Sequence, residues 1–143
     1  MNSTTLYNIF LKEFPWTPTE DQEKGLKGLA HLFIPKKNQV KKDDVFLLLG
    51  YAGTGKTTVA QAFSKALKHI GWSSVLGAPT GRAAKILQGT WGQRAWTLHR
   101  MLYISVRGSD GVFKRIRRKN KGKKLIFIID EASMISDSST SSD

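Results

Sequence analysis

The sequence predicts an α/β fold built on a parallel sheet, and three observations carry that prediction. Val45-Phe46-Leu47-Leu48-Leu49 is an unbroken apolar run, the pattern of a strand buried on both faces of a parallel sheet. It opens directly into Gly50-Tyr51-Ala52-Gly53-Thr54-Gly55-Lys56-Thr57, a complete G-x-x-x-x-G-K-T phosphate loop in the strand–loop–helix setting that this motif requires. A second apolar run, Leu125-Ile126-Phe127-Ile128-Ile129, ends in the acidic pair Asp130-Glu131. Together they describe a site for a nucleoside triphosphate with magnesium.

The elements follow in order. Ser3-Thr4-Thr5 ahead of Leu6, Ile9 and Phe10 predicts a short capped helix, which Phe14-Pro15-Trp16-Thr17-Pro18 ends. Thr19-Glu20-Asp21-Gln22 opens a second helix, acidic in its first turn as the helix dipole favours. Leu26, Leu29 and Phe33 are its buried stripe, while Gly25 and Gly28 weaken it by roughly 1 kcal/mol each relative to alanine. The helix therefore depends on tertiary contacts. Pro35–Asp44 reads as a polar linker. After the strand and phosphate loop, Val59, Phe63, Leu67 and Ile70 predict a helix over about 56–70, closed by Gly71. A second strand is expected at about 73–78 before Pro79, then a short helix at about 81–87. Residues 103–119 read as a β-hairpin turning at Gly108-Ser109-Asp110-Gly111, and 125–129 as the third buried strand. The tail 136–143 is polar and Ser-rich, with nothing to bury. The organisation expected is a helical segment 1–44, a phosphate-loop core 45–135 and the tail.

At 143 residues, with 40% hydrophobic and 24% charged side chains, the chain has the composition of one globular domain rather than a disordered or membrane-spanning one. It has no cysteine and no signal-like start, so a reducing, cytoplasmic setting is expected, with no membrane partner. The net charge of +12 is unevenly spread. Residues 1–49 carry seven basic and six acidic groups, 50–93 five and none, and 94–124 eleven and one, Asp110. A block of that sign and density attracts a polyanion through counterion release; the plainer alternative is a solvated basic loop.

Each motif has a chemical reason. Gly53 and Gly55 let the backbone curl so that its N–H groups, with those of Thr54, Thr57 and Thr58, face phosphate oxygens. Lys56 reaches the β- and γ-phosphates, and the Thr57 hydroxyl is the expected magnesium ligand. Asp130 at the end of its strand would hold the metal, directly or through water. Glu131 would polarise the attacking water, because phosphoryl transfer needs positioning and charge neutralisation more than covalent chemistry. Lys56 and Glu131 are thus the candidate catalytic residues, with a nucleoside triphosphate and Mg2+ as cofactors.

Four segments occur in the order Gly50–Thr57, Ala78-Pro79-Thr80-Gly81-Arg82-Ala83-Ala84, Thr97-Leu98-His99-Arg100 and Ile128-Ile129-Asp130-Glu131-Ala132-Ser133-Met134. The set resembles the first motor domain of a superfamily-1B DNA helicase of the RecD- and Dda-like group, over roughly residues 15–136. The resemblance implies a RecA-like P-loop NTPase fold, a three-layer α/β/α arrangement with a basic β-hairpin inserted. It implies that the triphosphate is ATP and assigns Gln22, beside Thr19, to reading the adenine edge, against the alternative of a solvent-facing helical glutamine. It assigns Pro79, Thr80 and Arg82, and then Thr97 and His99, to single-stranded DNA. Helix capping is the alternative for the first group and ordinary hydrogen bonding for His99. The basic stretch Lys114–Lys124, with Arg115, Arg117 and Arg118, would add non-specific backbone contacts.

The resemblance also implies parts that this sequence lacks. A further strand carrying Gly-Asp-x-x-Gln should follow Asp130-Glu131 and lie between the 45–49 and 125–129 strands. A second motor domain should supply an arginine to the ATP site. The sheet is accordingly expected to be incomplete, translocation and unwinding absent in this chain alone, and hydrolysis slow or nil. A polarity of 5′ to 3′ comes from the resemblance alone. The competing reading is a nucleic-acid-binding chain with a vestigial ATP site.

Overall fold

The computed structural model of the protein describes residues 3–32, 45–119 and 124–135, in two compact units, 1–72 and 73–143. The linker expected at 35–44, Phe33 and the polar tail lie outside the described residues.

The first unit is a helical packing around the phosphate loop. Helices α1 (Ser3–Lys12), α2 (Glu20–Leu32) and α3 (Lys56–His69) contact one another pairwise. Their apolar stripes meet as the sequence periodicity requires. Leu6 and Phe10 from α1, Leu26 and Leu29 from α2, and Val59, Phe63 and Leu67 from α3 are all buried. The rings of Phe10 and Phe63 meet edge to face at 5.2 Å, a geometry that the ring quadrupole favours. Gly71 closes α3 with a φ of 73°, its N–H donating to the carbonyl of Lys68 at 3.2 Å. Only a residue without a Cβ takes that conformation freely.

One predicted strand is not formed. Residues 45–49 join no ladder among the described residues, and Val45, Leu47 and Leu49 are 81%, 69% and 84% exposed. Phe46 and Leu48 alternate to the other side and pack on α2. A Cβ on Gly28 would come within 2.9 Å of the Phe46 ring, and one on Gly25 within 3.2 Å of Leu48. The two glycines that weaken α2 as a helix therefore give these side chains their seat. An apolar run records a demand for burial, whereas a strand also needs a neighbour for its backbone groups.

The second unit contains a parallel sheet. Strands β1 (Ser73–Ala78), β2 (Ala95–Thr97) and β5 (Leu125–Ile129) pair in the order β2-β1-β5, with Ala78 opposite Thr97 and Gly77 opposite Ile129. Helix α4 (Gly81–Trp91) connects β1 to β2. Leu76 and Ala78 pack with Ala84 and Leu87 of α4. Gly77 points to the opposite face, where a Cβ would sit 3.0 Å from Met101 of the short helix α5 (Leu98–Leu102). The alternation of β1 thus places one helix on each face of the sheet. The unit has the parallel sheet flanked by helices of a P-loop NTPase α/β fold.

Helix α4 runs four residues beyond the predicted 81–87. Gly89 meets nothing within 4 Å, and the stop comes at Gly92, which has a φ of 61° and donates to the Gln88 carbonyl. The side chain of Gln93 then donates to the Ser74 carbonyl at 3.1 Å, which ties the start of β2 beside β1. Strand β5 is less buried than expected. It is an edge of the three-stranded sheet, with Phe127 and Ile129 exposed. The hairpin forms as read from the sequence. Strands β3 (Tyr103–Arg107) and β4 (Phe113–Arg117) pair antiparallel, and Gly111 turns the loop with a φ of 78°.

Candidate nucleotide site and basic cleft

The phosphate loop in the first unit is shaped by its own residues. Gly53 and Gly55 adopt φ values of 77° and 82°, in the left-handed region. The Thr54 hydroxyl donates to the Tyr51 carbonyl at 2.8 Å, which tightens the turn. Helix α3 starts at Lys56 with no side chain capping its first turn, so its initial N–H groups remain available to an anion. A Cβ on Gly53 would meet nothing of the protein within 4 Å. The Lys56 ammonium turns back on the loop, donating to the carbonyls of Gly50 and Tyr51 at 2.7 Å each. Thr57 is exposed and Thr58 half-buried.

Gln22 is brought to this loop across thirty-two residues of sequence. It is buried, at 9% exposure, and its Nε2 donates to the Thr54 carbonyl at 3.2 Å. Its Oε1 accepts the Thr19 N–H at 2.9 Å, and the Gln22 N–H in return donates to the Thr19 hydroxyl at 3.4 Å. This reciprocal pair is a capping box at the start of α2. The solvent-facing alternative for Gln22 is thus excluded.

In the second unit, the segments picked out by sequence meet at one end of the sheet. Pro79 and Thr80 follow β1, Thr97 closes β2, and Asp130 follows β5, so all lie at the carboxyl ends of parallel strands. That is the customary ligand edge of open α/β sheets. The Asp130 N–H donates to the Gly77 carbonyl at 3.0 Å, and its carboxylate accepts the Glu131 N–H at 3.0 Å. Glu131 is exposed and has a φ of 52° and a ψ of 40°. It is the non-glycine residue with positive φ among the described residues. Such conformations cost an L-residue roughly 1–2 kcal/mol.

Thr80 and Thr97 both act as helix caps. Their hydroxyls accept the N–H of Ala83 at 3.2 Å and of Arg100 at 3.4 Å. An accepting hydroxyl still has its own hydrogen to donate, so capping and phosphate contact are compatible. Arg82 is exposed on the first turn of α4.

His99 and Arg115 converge with Arg100, Tyr103 and Ser105 on an open cleft of about 450 Å3. The register gives the hairpin two different faces. Tyr103 lies opposite Arg117, Ser105 opposite Arg115 and Arg107 opposite Phe113, whereas Ile104 lies opposite Ile116 on the other side. Arg118 is turned toward α5, its backbone N–H donating to the Leu102 carbonyl at 2.6 Å and its guanidinium to the Arg100 carbonyl at 3.4 Å. Residues 120–123 of the basic stretch are outside the described residues. Neither Tyr103 nor Trp96, whose ring lies under Arg94 at 4.0 Å, belongs to any of the sequence motifs, and Arg100 enters them as the last residue of Thr97–Arg100. Strand alternation in 103–107 was the available signal for Tyr103.

Comparison with known proteins agrees with this architecture. A family model described as an AAA domain matches residues 36–142. The chain belongs to the AAA-domain family, in its RecD- and Dda-like branch. It is 31% identical over 115 residues to the ATP-dependent RecD2 DNA helicase of Deinococcus radiodurans, covering 80% of this chain and 15% of that protein. It is 35% identical over 118 residues to the ATP-dependent DNA helicase dda of Enterobacteria phage T4, covering 80% of this chain and 26% of that protein. Similarity extends to a probable conjugal transfer protein TraA of Sinorhizobium fredii, at 36% over 89 residues, 62% of this chain and 7% of that protein. The chain therefore spans between 7% and 26% of the length of these three relatives. No solved structure matches. Among the described residues no helix is long and apolar enough to cross a membrane.

Proposed function

We propose that this chain is the ATP-binding part of the first motor domain of a 5′-to-3′ DNA helicase. In the intact motor, ATP hydrolysis would be coupled to movement along single-stranded DNA. The observation that carries the reading is the phosphate loop, with two left-handed glycines leading into a helix whose first turn has no side-chain cap. The residues present suit the ligands. Open space at Gly53 leaves room for phosphate oxygens, and the backbone N–H groups at the start of α3 supply donors. Lys56, now held by two carbonyls of its own loop, would exchange them for the β- and γ-phosphates. That exchange swaps neutral acceptors for charged ones, which bind an ammonium more strongly. Gln22 would face the adenine edge.

Mg2+, when bound, would neutralise charge on the transferring phosphoryl group. The Thr57 hydroxyl and the Asp130 carboxylate are its proposed holders, both of them hard oxygen donors. Glu131 would orient the attacking water, and its left-handed backbone is the local strain that catalytic turns often carry. The resemblance implies a second motor domain, whose arginine would complete the site in the intact protein.

The DNA side of the proposal rests on the basic hairpin and the carboxyl edge of the sheet. Thr80, Thr97, Arg82 and Pro79 would track the strand backbone, with Arg115, Arg117 and Arg118 adding charge and His99 a ring nitrogen for hydrogen bonding. The density of cations in residues 94–124 favours a second reading, DNA binding without turnover. ATPase assays with and without single-stranded DNA separate the two. Turnover raised by DNA supports the motor, and DNA binding without turnover in this chain joined to a second motor domain refutes it.

A further inference from the structure

Resting on the nucleotide-site reading and extending it, we propose that Gln22 is a positioning residue for the phosphate loop itself. It would link the start of α2, and any base held there, to the geometry in which the loop meets phosphates. Thr19 holds Oε1 through its backbone N–H, which fixes the plane of the amide and aims Nε2 at the Thr54 carbonyl. The assignment of oxygen and nitrogen is unambiguous, because one end faces a donor and the other an acceptor. Thr54 lies between the two left-handed glycines, so a tie to its carbonyl holds the peptide plane on which the direction of the next N–H depends.

Gly55 supplies the complementary half. A Cβ there would collide with the Gln22 Nε2. An alanine at the last glycine of the loop would thus have to push the Gln22 amide aside, besides bearing a φ of 82°. The two bonds use one of the amide's two hydrogens and one of its two oxygen lone pairs. One hydrogen and one lone pair of the amide are left over.

The test uses inorganic tripolyphosphate, which has no base, alongside ATP. Gln22→Met keeps the length of the side chain but has no donor for the Thr54 carbonyl and only a weakly accepting sulfur. Thr19→Val removes the hydroxyl half of the capping box and keeps the backbone N–H that holds Oε1. Titration calorimetry should show Gln22→Met weakening tripolyphosphate by about two- to tenfold, the net worth of one hydrogen bond, with Thr19→Val close to wild type. Amide hydrogen exchange of Gly53–Lys56 in ligand-free protein should accelerate in Gln22→Met alone. If Gln22→Met does not fold, Gln22→Glu serves in the exchange experiment, because it keeps the acceptor for Thr19 and loses the donor for Thr54. The proposal is overturned if Gln22→Met weakens ATP while tripolyphosphate and loop exchange stay unchanged, since the glutamine then reads only the base. It is equally overturned if both variants behave alike, which would reduce Gln22 to a helix cap. Wild-type protein that binds neither ATP nor tripolyphosphate would instead defeat the nucleotide-site reading beneath it.

Discussion

Replacing Gly55 with alanine should destabilise the first unit more than replacing Gly53, although both glycines hold nearly the same φ, 82° and 77°. Each alanine carries the left-handed penalty of about 1–2 kcal/mol. At Gly53 that is the whole cost, because the new methyl group meets nothing within 4 Å. At Gly55 the methyl group collides with the Gln22 amide and must displace it from the Thr54 carbonyl. Losing that bond adds about 0.5–1.5 kcal/mol. With a urea dependence of about 1–3 kcal/mol per molar, the Gly55→Ala midpoint should fall roughly 0.5 M below that of Gly53→Ala. A double-mutant cycle sharpens the claim: in a Gln22→Ala background the clash is gone, and the two glycine substitutions should cost the same. Equal midpoints for the single substitutions, or an unchanged gap in the Gln22→Ala background, would refute the proposed contact.

Three further outcomes follow from the geometry. Glu131→Gly should be more stable than Glu131→Ala by about 1 kcal/mol in thermal melts, the reverse of the usual order, because φ is 52° there. In the intact motor, Glu131→Gln should bind ATP almost as wild type while turnover collapses; unchanged turnover would remove Glu131 from the chemistry. Alanine at Arg115, Arg117 and Arg118 together should flatten the salt dependence of single-strand binding by about 2 in log–log slope, roughly 0.7 per phosphate contact, and an unchanged slope would make the hairpin a solvated face.

The motifs were legible because their chemistry is local. The glycine spacing of Gly50–Thr57 dictates a left-handed turn into a helix whatever the rest of the chain does. Gly108-Ser109-Asp110-Gly111 dictates a hairpin turn in the same way. The junction of β1 and α4 is legible too, because Pro79, and Thr80 as a cap, mark the end of one element and the start of the next. The end of α4 is less local: the helix passes the expected end near residue 87 and runs through Gly89, which lies in open space, to the left-handed stop at Gly92. Strand alternation puts Tyr103 on the face of Ser105, but only the register of the hairpin sets it opposite Arg117.

What the sequence settled by itself is thus the chemistry available: a phosphate loop, a strand-terminal carboxylate pair, and a cationic block. Tertiary structure decided which backbone groups find partners. It denied residues 45–49 a ladder while seating Phe46 and Leu48 on the glycines of α2. It also carried Gln22 thirty-two residues along the chain to the Thr54 carbonyl. Hydrophobic pattern and turn chemistry are properties of neighbours in sequence. Strand pairing and a buried amide's partners depend on segments far apart in the chain, and only the folded chain supplies those.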